Sequence, residues 1–198
     1  MKIDEINLTD ILTLIINEAI KKSSLFNNCN INQILIAGSK NKSKVQKTTF
    51  SKVVPLRFKN GNNIVKYKNE EYFIPKMSLS GYEILYIIYF YLPNFFNLSP
   101  KMKVEVIFHE LYHISPEFDG DIRRVAEQKY AHGSSSLNYS KNYKKESEIF
   151  YSYIMKTKYS YFLRMKYKDI QDNFKKIKLR KIKKPKAFKL TKTCNLHE

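Results

Sequence analysis

A chain of 198 residues and 23.6 kDa is long enough for one domain with a real core, and its 43% hydrophobic and 14% aromatic content excludes wholesale disorder. With 5 Gly and 6 Pro it is neither collagen-like nor a linker. The net charge of +18 is uneven: residues 1–155 hold 21 Lys+Arg against 15 Asp+Glu, whereas residues 156–198 hold 15 against 3. A basic tail of this kind can bind a nucleic acid or another anionic surface by counterion release, although charge runs are more often simply solvated.

The two cysteines, Cys29 and Cys194, stand near opposite ends of the chain, so they suit neither a CxxC zinc ribbon nor a disulfide framework. Acidic residues precede the first apolar stretch, which is periodic rather than continuous, so no signal peptide is expected. The longest apolar run, Ile84 to Phe96, is broken by Pro93 and falls short of the about 20 residues that span a bilayer. These features predict a cytoplasmic protein with no transmembrane segment.

In chain order, Thr9 or Asp10 caps a first helix whose apolar residues run from Ile11 to Ala19 at helical spacing. Asn30 to Ala37 reads as a strand and Gly38 to Thr49 as an exposed hairpin loop or insert. Val53 to Phe58, Ile64 to Lys68 and Glu71 to Pro75 form further short strands, with turn chemistry at Asn60-Gly61-Asn62-Asn63. Glu83 to Leu92, rich in Ile and Tyr, is too uniformly apolar for an edge strand and reads as the buried central strand or a buried helix, the strand being preferred. Ser99 and Pro100 then open a helix to about Ile114 that is apolar on most sides. A turn at Phe118-Asp119-Gly120-Asp121, a short helix from Ile122 to Tyr130 and a loop from Ala131 to Ser136 follow. A last helix from about Tyr143 to Phe174 leads into the basic segment. The fold class is α+β: a small, mainly antiparallel sheet packed on the Ser99 helix, with a long C-terminal helix, the domain occupying residues 1–174 and a flexible tail residues 175–198.

Residues 109–113 read His-Glu-Leu-Tyr-His, an H-E-x-x-H motif inside the apolar helix. Residues four apart stand one above the other on a helix, so the imidazoles of His109 and His113 reach one metal ion from a single face. Glu110 can hold the attacking water, take its proton and pass it to the leaving amine. A catalytic zinc needs a third protein ligand. His132, followed by Gly133, is the first candidate, ahead of Glu146 or Glu148 on the last helix; Glu127 and Asp119 rank below them, and His197 lies beyond the basic segment. Arg123 and Arg124 are candidates for holding a substrate carbonyl or carboxylate, and Tyr130 or Tyr139 for donating to a developing oxyanion.

The stretch Val106 to Gly120, with Ile122-Arg123-Arg124 after it and a later histidine, resembles the phage-type metallopeptidase family, related in pattern to SprT-like zinc peptidases; Ala131-His132-Gly133 is similar to the His-Gly of the latter. The resemblance covers roughly residues 30–135. It implies a minimal zincin-like domain with Zn2+ on His109, His113 and His132 and with Glu110 as general base. The third histidine stands later after the Asp-Gly-x-x-Arg stretch than in the family pattern, and the SprT-like zinc ribbon is missing. The function expected is therefore a zinc metallopeptidase acting on a peptide or protein substrate. The alternative is a nucleic-acid-associated binding protein with a structural or inactive zinc site.

Overall fold

The computed structural model describes residues 2–40, 49–126, 129–130 and 136–190, and its architecture is built around one short strand that is apolar on both faces. In chain order the first elements are β1 (Ile3–Asn7), α1 (Leu8–Lys22), β2 (Ile34–Lys40), β3 (Ser51–Pro55), β4 (Ile64–Tyr67), β5 (Glu70–Phe73), β6 (Met77–Leu79), β7 (Tyr82–Ile84) and β8 (Tyr86–Leu92). After these come α2 (Pro100–Tyr112), β9 (Arg124–Ala126), β10 (Lys129–Tyr130), α3 (Ser136–Ile154), α4 (Tyr159–Arg164), α5 (Tyr167–Asn173), β11 (Phe174–Lys178) and β12 (Phe188–Lys189). The fold is α+β.

The central sheet has the order β2-β8-β3, with β8 parallel to β2 and antiparallel to β3. Because side chains alternate along a strand, Tyr86, Ile88, Phe90 and Leu92 enter the main core while Ile87 enters a second, smaller one with Leu35, Ala37, Val54 and Leu56. Burial on both faces is why β8 reads as an uninterrupted apolar run. Its insertion between β2 and β3 rules out the hairpin expected around Gly38 to Thr49. Residues 41–48 lie outside the described residues.

The main core is closed by α1 and α2. The buried Leu8, Leu12, Ile15, Ile16, Ala19 and Ile20 of α1 recur at helical spacing. Its cap is Asn7, not Thr9 or Asp10: Asn7 Oδ1 accepts from the backbone N–H of Thr9 at 3.2 Å and of Asp10 at 3.4 Å. The start is drawn back because β1 feeds directly into the helix and is held by β11.

Two further expectations are corrected. Where a short helix from Ile122 to Tyr130 is expected, Arg124–Ala126 and Lys129–Tyr130 form the antiparallel β9–β10 pair, and residues 127–128 lie outside the described residues. The bridge between Ile114 and Ile122, and the two bonds from Arg124 to the Asp121 carboxylate, already set the chain in an extended direction there. The expected long helix starts earlier and breaks into α3, α4 and α5. Thr157 Oγ1 donates to Ile154 O at 2.7 Å and accepts from Tyr159 N–H at 3.3 Å, turning the chain after α3. Lys103 then ends α4: its Nζ, buried with the rest of the side chain, donates to the carbonyls of Leu163 at 2.9 Å and Met165 at 2.6 Å.

Burial pushes Lys103 down to about 8. An unfolded lysine titrates near about 10.4, so between these values the unfolded chain holds more protons and stability rises with pH. The urea midpoint of the wild type is expected to gain on that of Lys103→Met between pH 7.5 and 9.5; parallel curves would contradict the assignment.

The basic segment does not hang free over its described length. β11 pairs in parallel with β1, Gly38 N–H donates to Arg180 O at 2.9 Å, Tyr89 Oη donates to Ile182 O at 3.1 Å, and β12 pairs with β5. Arg180 also reaches Ile36 O and Asp10. Lys175, Lys178, Arg180 and Lys189 are paired with Asp4, Glu5, Asp10 and Glu70. The segment is thus a strap across the second face of the sheet, where Ile182 packs on the smaller core. No helix among the described residues is long and apolar enough to cross a membrane.

Candidate metal centre

Helix α2 begins as the sequence predicts, with Ser99 Oγ accepting from Met102 N–H at 3.3 Å and Pro100 at its first position. Its last turn carries His109 and Glu110, and His113 follows as the C-terminal cap. The Nε2 atoms of His109 and His113 converge to 3.0 Å, with the ring planes at 87°. Two nitrogens bound at about 2.0–2.1 Å to one tetrahedral zinc would stand about 3.3 Å apart, so the pair fits a shared cation with a shift of a few tenths of an ångström.

The outer nitrogens are also engaged. His109 Nδ1 lies 3.0 Å from Tyr143 Oη, and His113 Nδ1 lies 2.9 Å from Tyr139 Oη, which is itself 3.1 Å from Tyr112 O. Orientation of a ligating histidine through its second nitrogen is the usual support of a metal site. Burial pushes the Tyr139 phenol well above the ordinary tyrosine range. The signal in the sequence is a second spacing of four: Tyr139 and Tyr143 on α3 oppose His113 and His109 on α2. Sequence reasoning gave Tyr139 another role and overlooked Tyr143.

Glu110 is buried on the side facing β3. It accepts from Ser51 Oγ at 2.7 Å and from Val53 N–H at 2.6 Å. Burial pushes this carboxyl up to about 6 against the pull of those two donors. Tyr91 N–H bonds Phe50 O and Leu56 N–H bonds Leu85 O, so the even-numbered residues of β3 face β8. Ser51, Val53 and Pro55 therefore present their backbone groups to the open edge, where Pro55 has no N–H to offer. Between this edge and α2 lies an open cleft of about 400 Å³, lined by Phe50, Ser51, Glu105, His109, Glu110 and Tyr143 among others.

The other candidates lie elsewhere. Glu146 accepts from Ser23 Oγ at 3.0 Å, and Glu148 pairs with Lys101 at 3.0 Å. Arg123 stacks its guanidinium 4.1 Å over the Tyr112 ring and donates from Nε to Tyr112 O, while its backbone N–H donates to His113 O at 2.7 Å. It closes the end of α2. Arg124 is bound to Asp121, and Asp119 Oδ1 accepts from Asp121 N–H. Among the described residues no group of three His, Cys, Asp or Glu could hold a metal. His132, Glu127, Cys194 and His197 lie outside the described residues, as does the side chain of Tyr130, whose backbone is in β10.

No curated protein and no solved structure matches the chain. The family model described as Putative phage metallopeptidase matches residues 4–178, spanning β1 to the end of β11 and including the histidine pair and Glu110. The chain belongs to this phage metallopeptidase family.

Proposed function

We propose that the chain is a zinc-dependent peptidase in which His109, His113 and His132 hold the metal and Glu110 is the general base. The observation that carries this reading is the convergence of two imidazole nitrogens to 3.0 Å beside a buried carboxylate and an open strand edge. When bound, zinc supplies a Lewis acid and lowers the pKa of a coordinated water towards about 7. An extended substrate lies along β3 and pairs with the outward N–H and C=O of Ser51 and the outward C=O of Val53, whose N–H is held by Glu110. Each Glu110 oxygen spends one lone pair on Ser51 or Val53 and keeps another for a proton. Glu110 takes that proton from the attacking water and returns it to the leaving amine.

The test is metal content. Full-length wild type loaded with zinc and freed of excess should hold about one equivalent by mass spectrometry, consistent with a single tetrahedral site. His109→Ala, His113→Ala and His132→Ala are expected to lose it, and Glu146→Ala to keep it. A folded wild type that retains no zinc would overturn the reading.

A further inference from the structure

We propose that Tyr139 and Tyr143 of α3 decide which nitrogen of each histidine carries its proton, so that His113 is held ready for a divalent cation while His109 must switch to receive one. The cation is the one in the reading above; the proton assignment itself rests on hydrogen-bond directions alone.

A neutral hydroxyl has a single proton, and a carbonyl oxygen only accepts. The Tyr139 proton is committed to Tyr112 O at 3.1 Å, so the 2.9 Å contact with His113 runs from His113 Nδ1–H to Tyr139 Oη. A neutral His113 protonated at Nδ1 has a bare lone pair at Nε2, the form that ligates a metal. The Tyr112 carbonyl is one of the last of α2, without an intrahelical donor, and Arg123 Nε–H at 2.7 Å holds it in place. Tyr139 therefore transmits the fixed position of the helix end to the tautomer of His113.

His109 receives the opposite assignment when no cation is present. With His113 Nε2 bare, the 3.0 Å contact between the two Nε2 atoms is a hydrogen bond only if His109 carries its proton at Nε2. His109 Nδ1 then accepts, and Tyr143 Oη at 3.0 Å donates to it. A cation between the two rings needs both Nε2 atoms bare. The His109 proton moves to Nδ1, and Tyr143 turns from donor to acceptor. No proton is gained or lost by His109 and His113 in this exchange. The two tyrosines are thus unequal: Tyr139 favours the loaded form in advance, whereas Tyr143 supports the empty form and re-pairs on loading.

The experiment uses the full chain, metal-free and ¹⁵N-labelled, and reads both imidazoles by long-range ¹H–¹⁵N correlation. The expected spectrum has His113 protonated at Nδ1 and His109 at Nε2, with His109 moving to Nδ1 when Zn²⁺ is added. Zinc affinity, measured by competition with a chelator, is expected to fall about 10–100-fold in Tyr139→Phe, the usual cost of losing such support. Tyr143→Phe should cost markedly less. His113 protonated at Nε2 in the wild type would overturn the proposal without any variant, and so would equal losses in the two variants. The predicted tautomers in a chain that takes up no zinc would support the assignment and sink the peptidase reading; tight zinc with the wrong tautomers would do the reverse.

Discussion

Glu110→Gln is expected to keep the fold and the metal while peptide hydrolysis falls by about 10²–10⁴-fold, the range for loss of a general base. The substitution is unusually clean at this position. The glutamine Oε1 can still accept from Val53 N–H, and its Nε2–H can donate to Ser51 Oγ, whose hydroxyl turns to receive it, so both bonds of the native carboxylate have successors. A buried group that has to be satisfied remains satisfied, and the unfavourable burial of a carboxylate is removed. Thermal stability should therefore be unchanged or higher, and zinc content should match the wild type. Hydrolysis of a peptide pool by the two proteins, read by mass spectrometry beside their melting curves, separates loss of chemistry from loss of structure. Undiminished hydrolysis by zinc-loaded Glu110→Gln would remove Glu110 from the reaction.

The parts of this site that were legible in the sequence are those fixed by local geometry. Ser99 and Pro100 start α2 through contacts within one turn, and a spacing of four places His109 over His113 whatever surrounds the helix. The buried strand β8 was legible for a similar reason, since double-sided burial leaves an unbroken apolar run. The partners of the site are long-range. Ser51 meets Glu110 across 59 residues, and Tyr143 meets His109 across 34, so neither pairing leaves a local pattern. With 15 tyrosines in the chain, only the antiparallel packing of α3 on α2 selects Tyr139 and Tyr143. Local charge misled at the C-terminus: the density of lysine suggested a solvated tail, while the decisive features were the pairing edge of β1, the acids Asp4, Glu5 and Asp10, and the space above Gly38. A Cβ at Gly38 would stand 2.7 Å from Leu179 Cδ2, so the glycine is what lets the strap lie against β2.

Gly120→Ala is expected to destabilise the fold by about 2–4 kcal/mol, combining backbone strain with overpacking. Gly120 has φ +89°, a conformation that a side chain disfavours, and a Cβ there would stand 2.5 Å from Arg57 Cγ and 3.0 Å from Arg57 Cβ. Arg57 has little room to yield. It is buried, paired with Glu83, and bonded through its backbone N–H to Gly120 O at 3.0 Å. On the other side Gly120 N–H donates to Tyr86 Oη at 2.9 Å, whose own proton goes to Asp121 O, so a shift of the loop breaks bonds made by a buried residue of the central strand. For a chain of this size the melting temperature should fall by roughly 4–16 °C. Gly81→Ala provides the internal comparison. Gly81 has φ +83° in the turn between β6 and β7, yet nothing lies within 4 Å of where its Cβ would be, so it carries the backbone cost alone, about 1–2 kcal/mol. The excess of Gly120→Ala over Gly81→Ala measures the contact with Arg57; equal losses would mean that Arg57 moves aside without penalty. Because Ser115 N–H bonds Asp121 O and Arg123 N–H bonds His113 O, this loop also holds the end of α2 that presents His113. Folded Gly120→Ala should then bind zinc more weakly than folded Gly81→Ala, and the loss of affinity should follow the loss of stability as the temperature is raised.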